Sequence, residues 1–261
     1  MSTNETDYEY RDLLASTWDL GRGDTSVWPD RRLYLDLVRQ YGQPVLDVGC
    51  GTGRILLDFF SEGIDIDGVD NSPEMLELCK AKAQSLGISP NLFQQSMEAL
   101  KLPRDYKTIV VPSSSFQLVT DESKANETIR RFFLHLQSGG ILVMPFSFEW
   151  KVGEPLETEW ALYYEKIRPV DQAVIRRSGR TNFDPERCIW NTEELFEVLK
   201  DGKTILSENH KRSPAGRWYS QAQAIELYLK AGFQKLQLFK EFTQEPASKN
   251  DSLFCVLGVK P

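Results

Sequence analysis

Between residues 44 and 145 short apolar runs alternate with helix-length amphipathic segments. That alternation constrains the chain more than any other feature, because it is the signature of βαβ units feeding a parallel sheet. Strands are expected over 44–48, 65–69, 91–95, 108–111 and 140–145. A helix is expected over 72–86, opened by Ser72 as cap with Pro73 in the first turn and stopped at Gly87. A second, over 121–137, carries Ile129, Phe132, Phe133 and Leu136 on one stripe and is expected to end at Gly139-Gly140. From 147 to 213 the period changes to two and aromatic residues become dense, so this stretch reads as an antiparallel β insert. Its clearest mark is the Asp201-Gly202 turn joining two strand-like runs, 197–200 and 203–206. Ser220-Gln221-Ala222-Gln223 then matches a capping box, its helix closes at Gly232, and two strands over 235–242 and 252–259 end the pattern as an antiparallel pair. The organisation is a core of 1–146 and 214–261, with a helical cover at its start, interrupted by the insert of 147–213.

Composition narrows the function. The 261 residues hold 31 Lys and Arg against 38 Asp and Glu, a formal charge of −7, and no basic cluster dominates. A nucleic-acid partner is therefore not expected. The segment 1–8 has neither a basic start nor an apolar core, and no apolar run reaches the roughly 18 residues of a membrane span, so a soluble, cytoplasmic protein is expected. Cys50, Cys79, Cys188 and Cys255 are far apart and only His135 and His210 accompany them. This pattern points away from a metal site, a disulfide framework and triad hydrolysis.

The motif that carries chemistry is Val45-Leu46-Asp47-Val48-Gly49-Cys50-Gly51-Thr52-Gly53-Arg54, an apolar strand entering a glycine-rich turn and then a helix. Glycines let backbone amides approach a ligand, and Asp47 at the strand end can accept hydrogen bonds from it. Asp70 closes the next apolar run, where an acid can hold both hydroxyls of a ribose. The pair describes a nucleoside site. A dinucleotide fingerprint would resemble G-x-G-x-x-G, and here Arg54 follows Gly53 in a G-x-G-x-G series. A nicotinamide-dependent oxidoreductase is thus the alternative, and a non-catalytic cofactor-binding protein is another.

With these residues the chain resembles the class I S-adenosylmethionine-dependent methyltransferases, small-molecule type. The resemblance implies a Rossmann-like fold, a mostly parallel seven-stranded sheet with an antiparallel last strand. It also implies S-adenosyl-L-methionine as cofactor, with Gly49, Cys50, Gly51 and Gly53 beside its methionine part, Asp70 on the ribose and Asn71 next to the adenosine. Ser96 stands where the family often has an acid for adenine, so Met97 and Glu98 are the contacts expected there, with core filling the other reading of Met97. Pro112 precedes Ser113-Ser114-Ser115-Phe116, where the family's pocket opens towards the acceptor. The Asn/Asp-Pro-Pro-Tyr element of base- and amide-nitrogen enzymes is missing. Arg22, in the cover segment, either pairs with the methionine carboxylate or forms a surface ion pair.

The expected acceptor is a small molecule, methylated at nitrogen or oxygen by a monomer or homodimer. Its wall is assigned to Phe116, Tyr164, Trp190, Arg217 and Tyr219, although aromatics in an insert also serve as its core. In-line placement against a sulfonium methyl supplies most of the catalysis. An amine acceptor must also lose a proton, for which Glu149, Tyr164 and His210 are candidates, His210 being read otherwise as an exposed hairpin residue.

Overall fold

The computed structural model describes residues 9–261, so the reading of segment 1–8 falls outside the described residues. Strands β1 (Val45–Val48), β2 (Ile66–Asp70), β3 (Leu92–Gln94), β4 (Tyr106–Val110) and β5 (Leu136–Ser147) pair in parallel. Four further strands, β6 (Ala161–Ile167), β7 (Val174–Asp184), β8 (Ile189–Lys200) and β9 (Lys203–Arg217), form a separate antiparallel sheet in that order. The last two, β10 (Gln234–Lys240) and β11 (Leu253–Val259), complete a seven-stranded sheet of order β10-β11-β5-β4-β1-β2-β3. Within it the last strand, β11, runs antiparallel to both β10 and β5, as expected.

Both faces of the large sheet are covered, which is why its central strands are apolar without alternation. One face sends Leu46, Ile109, Leu142 and Met144 onto α6 (Glu122–Leu134) and α7 (Gln221–Ala231). The other sends Val45, Val110, Ile141 and Val143 onto α3 (Pro29–Tyr41) and α4 (Arg54–Ser61), with α5 (Pro73–Ser85) beside them. Ser72 caps α5 by accepting from Met75 N, and Ser220 with Gln223 forms the complete capping box of α7. Asp201 and Gly202 take φ of 52° and 72°, the left-handed pair that a two-residue hairpin turn requires.

Two expectations are corrected. Helix α6 stops at Leu134, and Leu136 already pairs with Tyr106 in β5. Gly139-Gly140 is therefore a break inside the strand: a Cβ on Gly140 would lie 2.9–3.1 Å from the carbonyl oxygens of Gln137, Lys107 and Tyr106. The insert's pairing also continues past 213 to Arg217, which faces Ile189 across β8. Ahead of the core, α1 (Asp12–Ser16) and α2 (Trp18–Arg22) form the helical cover. Leu13 and Leu14 of α1 bury against Ile175, Phe196 and Val198 of the second sheet and against Ala173 just ahead of β7, so the cover seats on the insert.

Candidate active site

The glycine turn begins where β1 ends. Gly49 N and Cys50 N both donate to Val69 O, at 2.8 and 3.0 Å, which binds the turn to β2, and φ is 68° at Gly49 and 54° at Gly51. A Cβ on Gly51 would have no neighbour nearer than Gly49 O at 4.0 Å, so its open side faces the cavity. Gly53 does something else. A Cβ there would sit 2.6 Å from Cys79 Sγ and 2.7 Å from Leu57, so this glycine, which does not line the cavity, lets α4 approach α5. Arg54 is drawn away from the turn by an ion pair with buried Asp30, 2.9 and 2.5 Å through two nitrogens.

Two carboxylates converge beneath this turn. Asp47 is buried and accepts from Leu56 N through Oδ2, while Oδ1 has no partner. Burial pushes its carboxyl up to about 7, against the opposing charge of Arg54. Asp70 accepts from Ser72 N through Oδ1 and from Gly51 N through Oδ2, both at 2.9 Å. Burial raises its carboxyl, and those backbone bonds counter the rise.

A cavity of about 1190 Å³ opens over these groups. Asp47, Gly49, Cys50, Gly51, Asp70, Asn71, Met97, Glu98, Pro112 and Arg22 all line it, as do Ser113 and Ser115. Glu98 lies 3.5 Å from Lys124, which also faces the cavity. Arg22 sits between the rings of Trp18 and Trp28, 4.5 Å from each centroid, and donates to Ser113 Oγ at 3.0 Å. Burial, then the nearby Arg54, lowers its pKa from the usual guanidinium value.

The far wall comes from β9, residues 209–214, and from residues 9–11 of the cover. His210 is on this wall with its side chain only 8% exposed, which corrects the reading of an exposed hairpin residue. The physical reason is the seating of α1 on the insert, where Leu13 N donates to Glu208 of β9 and Glu208 in turn meets His210. Sequence reasoning missed Arg212 and Tyr10. Arg212 pairs with Glu9 and donates to Thr192 Oγ1 at 3.1 Å, and burial pushes its pKa down to about 10. Tyr10 lines the cavity edge-on to Trp18. The period-two spacing of Glu208, His210 and Arg212 would have placed those three on one face of β9, but nothing local announces that Tyr10 folds back over the core.

The remaining candidates lie away from this cavity. Phe116 and Tyr219 are core residues, 5.6 Å apart between centroids and packed with Phe146. Trp190 stacks on Trp218 at 6.4 Å and fills the space over Gly216. Arg217 and Tyr219 border a second cavity of about 360 Å³. Tyr164 rests on Gly21, 3.5 Å from Thr17 Oγ1, and Glu149 is tied to Ser147 Oγ near the surface. Among the described residues no cluster of His, Cys, Asp and Glu is suited to a metal, and no helix is long and apolar enough to cross a membrane.

Sheet order, glycine turn and paired acids together define a class I methyltransferase core. The methyltransferase-domain family model matches residues 45–140. A Geobacillus sp. (strain WCH70) protein carrying a methyltransferase name is 30% identical over 224 residues, covering 84% of this chain and 87% of that one. The dTDP-3-amino-3,4,6-trideoxy-alpha-D-glucopyranose N,N-dimethyltransferase of Streptomyces venezuelae is 29% identical over 149 residues, 56% of each chain. Among solved structures, an S-adenosylmethionine-dependent methyltransferase from Clostridium acetobutylicum superposes with a TM-score of 0.75 at 18% identity, over 94% of this chain and 96% of that one. The sugar N-methyltransferase KedS8 from Streptoalloteichus sp. gives 0.71 at 20%, over 100% and 98%. The chain belongs to the S-adenosylmethionine-dependent methyltransferase family, and S-adenosyl-L-methionine is its cofactor.

The residues present fit that cofactor. The unpartnered Asp47 Oδ1 is a buried acceptor awaiting a donor, the open side of Gly51 leaves room for a close approach, and Asp70 keeps free lone pairs on both oxygens.

Proposed function

We propose that the chain methylates an amine nitrogen of a small-molecule acceptor, held in the same cavity as the cofactor. One observation carries the reading. A single cavity of about 1190 Å³ is bounded at one end by the glycine turn with Asp70 and at the other by β9 of the insert. That volume exceeds the roughly 300–1,000 Å³ typical of a pocket for one ligand and suits two ligands end to end. Nitrogen is favoured over oxygen because the amino-sugar N,N-dimethyltransferase matches 56% of this chain and the fold of the sugar N-methyltransferase covers 100% of it, whereas the ubiquinone biosynthesis O-methyltransferases match 23–41%.

When bound, the cofactor supplies an electrophilic methyl, whose carbon gains its new bond from the amine's electron pair while the carbon–sulfur pair leaves to sulfur. The protein's own work is placement. Asp70 would take the ribose hydroxyls, Asn71, Met97 and Glu98 would border the base, and Arg22 would hold the methionine carboxylate from between its two tryptophans. The Asp47 carboxylate would receive donors from the amino-acid end. The cover segment and β9 then exclude water from the junction.

Transfer of a labelled methyl group from S-adenosylmethionine to a panel of amines, led by the dTDP-linked 3-amino sugar named for the Streptomyces venezuelae relative, tests this. Turnover of a member at nitrogen is expected. Transfer confined to hydroxyl acceptors would overturn the assignment of nitrogen.

A further inference from the structure

The cavity wall on β9 holds an imidazole that nothing in the cofactor end requires. His210 Nε2 lies 3.1 Å from Glu208 Oε2, and the ring stands edge-on to Phe196 with centroids 5.1 Å apart. Glu208 is fixed in turn, because the same Oε2 accepts from Leu13 N of α1 at 2.8 Å. The pair is thus clamped from two sides, by an aromatic ring of β8 and by the cover helix. With Nε2–H given to Glu208, the lone pair of Nδ1 is left for another partner. The chain's other histidine is committed elsewhere: His135 Nε2 lies 3.3 Å from Leu100 O and does not line the cavity. Tyr164 and Glu149, the other proton acceptors considered, do not line the cavity.

We infer that His210 takes the proton of the acceptor amine and that Glu208 is its positioning residue. The inference rests on the proposed amine methylation. An acceptor held as an ammonium ion passes one proton to His210 Nδ1, which frees the nitrogen's electron pair for the methyl carbon. The imidazolium so formed is balanced by the Glu208 carboxylate, and its proton then returns to water. A base in this role contributes about 10²–10⁴-fold to rate. Because Glu208 also holds Leu13 N, the base is oriented only when α1 is seated, which links proton acceptance to closure of the cover.

The test uses the full chain, S-adenosylmethionine and the amine panel, with calorimetry of S-adenosylhomocysteine as the control for folding and cofactor binding. His210→Gly is expected to lose roughly 100-fold or more in kcat with KM changed less than about threefold, to keep its S-adenosylhomocysteine affinity, and to regain at least about tenfold on adding imidazole. Glu208→Gln, which keeps an acceptor for Leu13 N but no charge, is expected to lose about tenfold in kcat alone. Should the glycine variant fail to bind S-adenosylhomocysteine, His210→Asn carries the same kcat and KM comparison. Wild-type turnover with kcat kept in the His210 variant, or lost without imidazole rescue, overturns the base while leaving amine methylation standing. Wild-type protein that binds S-adenosylhomocysteine and methylates no amine overturns both.

Discussion

The two ends of the cavity are built on different principles. At the core end, the proposed binding groups sit at the carboxyl ends of parallel strands, where backbone amides of the glycine turn and the acids Asp47 and Asp70 are held by the sheet itself. At the insert end, single side chains of β9 are held by other side chains and by a helix arriving from far away in sequence. The first arrangement suits a ligand that is the same throughout a family. The second permits the acceptor to differ without disturbing the core, since side chains on one strand can change while the pairing remains.

This contrast can be broken at either end. Asp70→Ala should have the largest effect on cofactor affinity, because it removes charge-assisted hydrogen bonds worth roughly 1.5–3 kcal/mol each. S-adenosylhomocysteine calorimetry is expected to show a loss of about 100-fold, and unchanged affinity would remove Asp70 from the ribose. Arg22→Ala should cost somewhat less, about tenfold to 100-fold, and Arg22→Lys should not restore it, since a planar cation between Trp18 and Trp28 is what the site holds. Trp190→Ala should act on the insert instead. Loss of its stacking on Trp218 is expected to lower stability by about 2 kcal/mol in a denaturant titration, with affinity for S-adenosylhomocysteine intact.

A pH-dependent effect comes from Asp47. Its folded pKa, raised to about 7 by burial, means that the folded protein holds a proton the unfolded chain has already released. Its contribution to stability is full below the ordinary value of 3.8 and is lost as pH climbs through about 7. Asp47→Asn should therefore gain on the wild type between pH 5 and pH 8 by roughly 2–3 kcal/mol, or about 4–12 °C in melting temperature. A constant difference across that range would contradict the buried, partly neutral carboxyl.

What could be read directly from sequence follows the same division. The strand entering the Gly49–Gly51 turn, Asp70, the Ser220 capping box and the Asp201-Gly202 hairpin are written within a few neighbouring residues, so local chemistry reveals them. Gly139-Gly140 misleads because a glycine pair after an amphipathic run reads as a helix stop, whereas crowding by three carbonyl oxygens is what requires Gly140. The insert's aromatics mislead for a related reason: Trp190 and Tyr219 carry no local mark separating a ring that packs on Trp218 or Phe146 from one that faces a ligand. His210 is fixed on the cavity wall through Glu208, which accepts from Leu13 N across nearly two hundred positions, a contact that no local pattern announces.

The central claim is that one cavity receives the cofactor at its core end. Calorimetric titration of the wild-type chain with S-adenosylhomocysteine, with NADH as control, tests it most directly. Saturable one-site binding of S-adenosylhomocysteine, abolished or strongly weakened by Asp70→Ala, and no binding of NADH, is the predicted result. Binding that ignores Asp70→Ala, or a preference for NADH, would contradict the account.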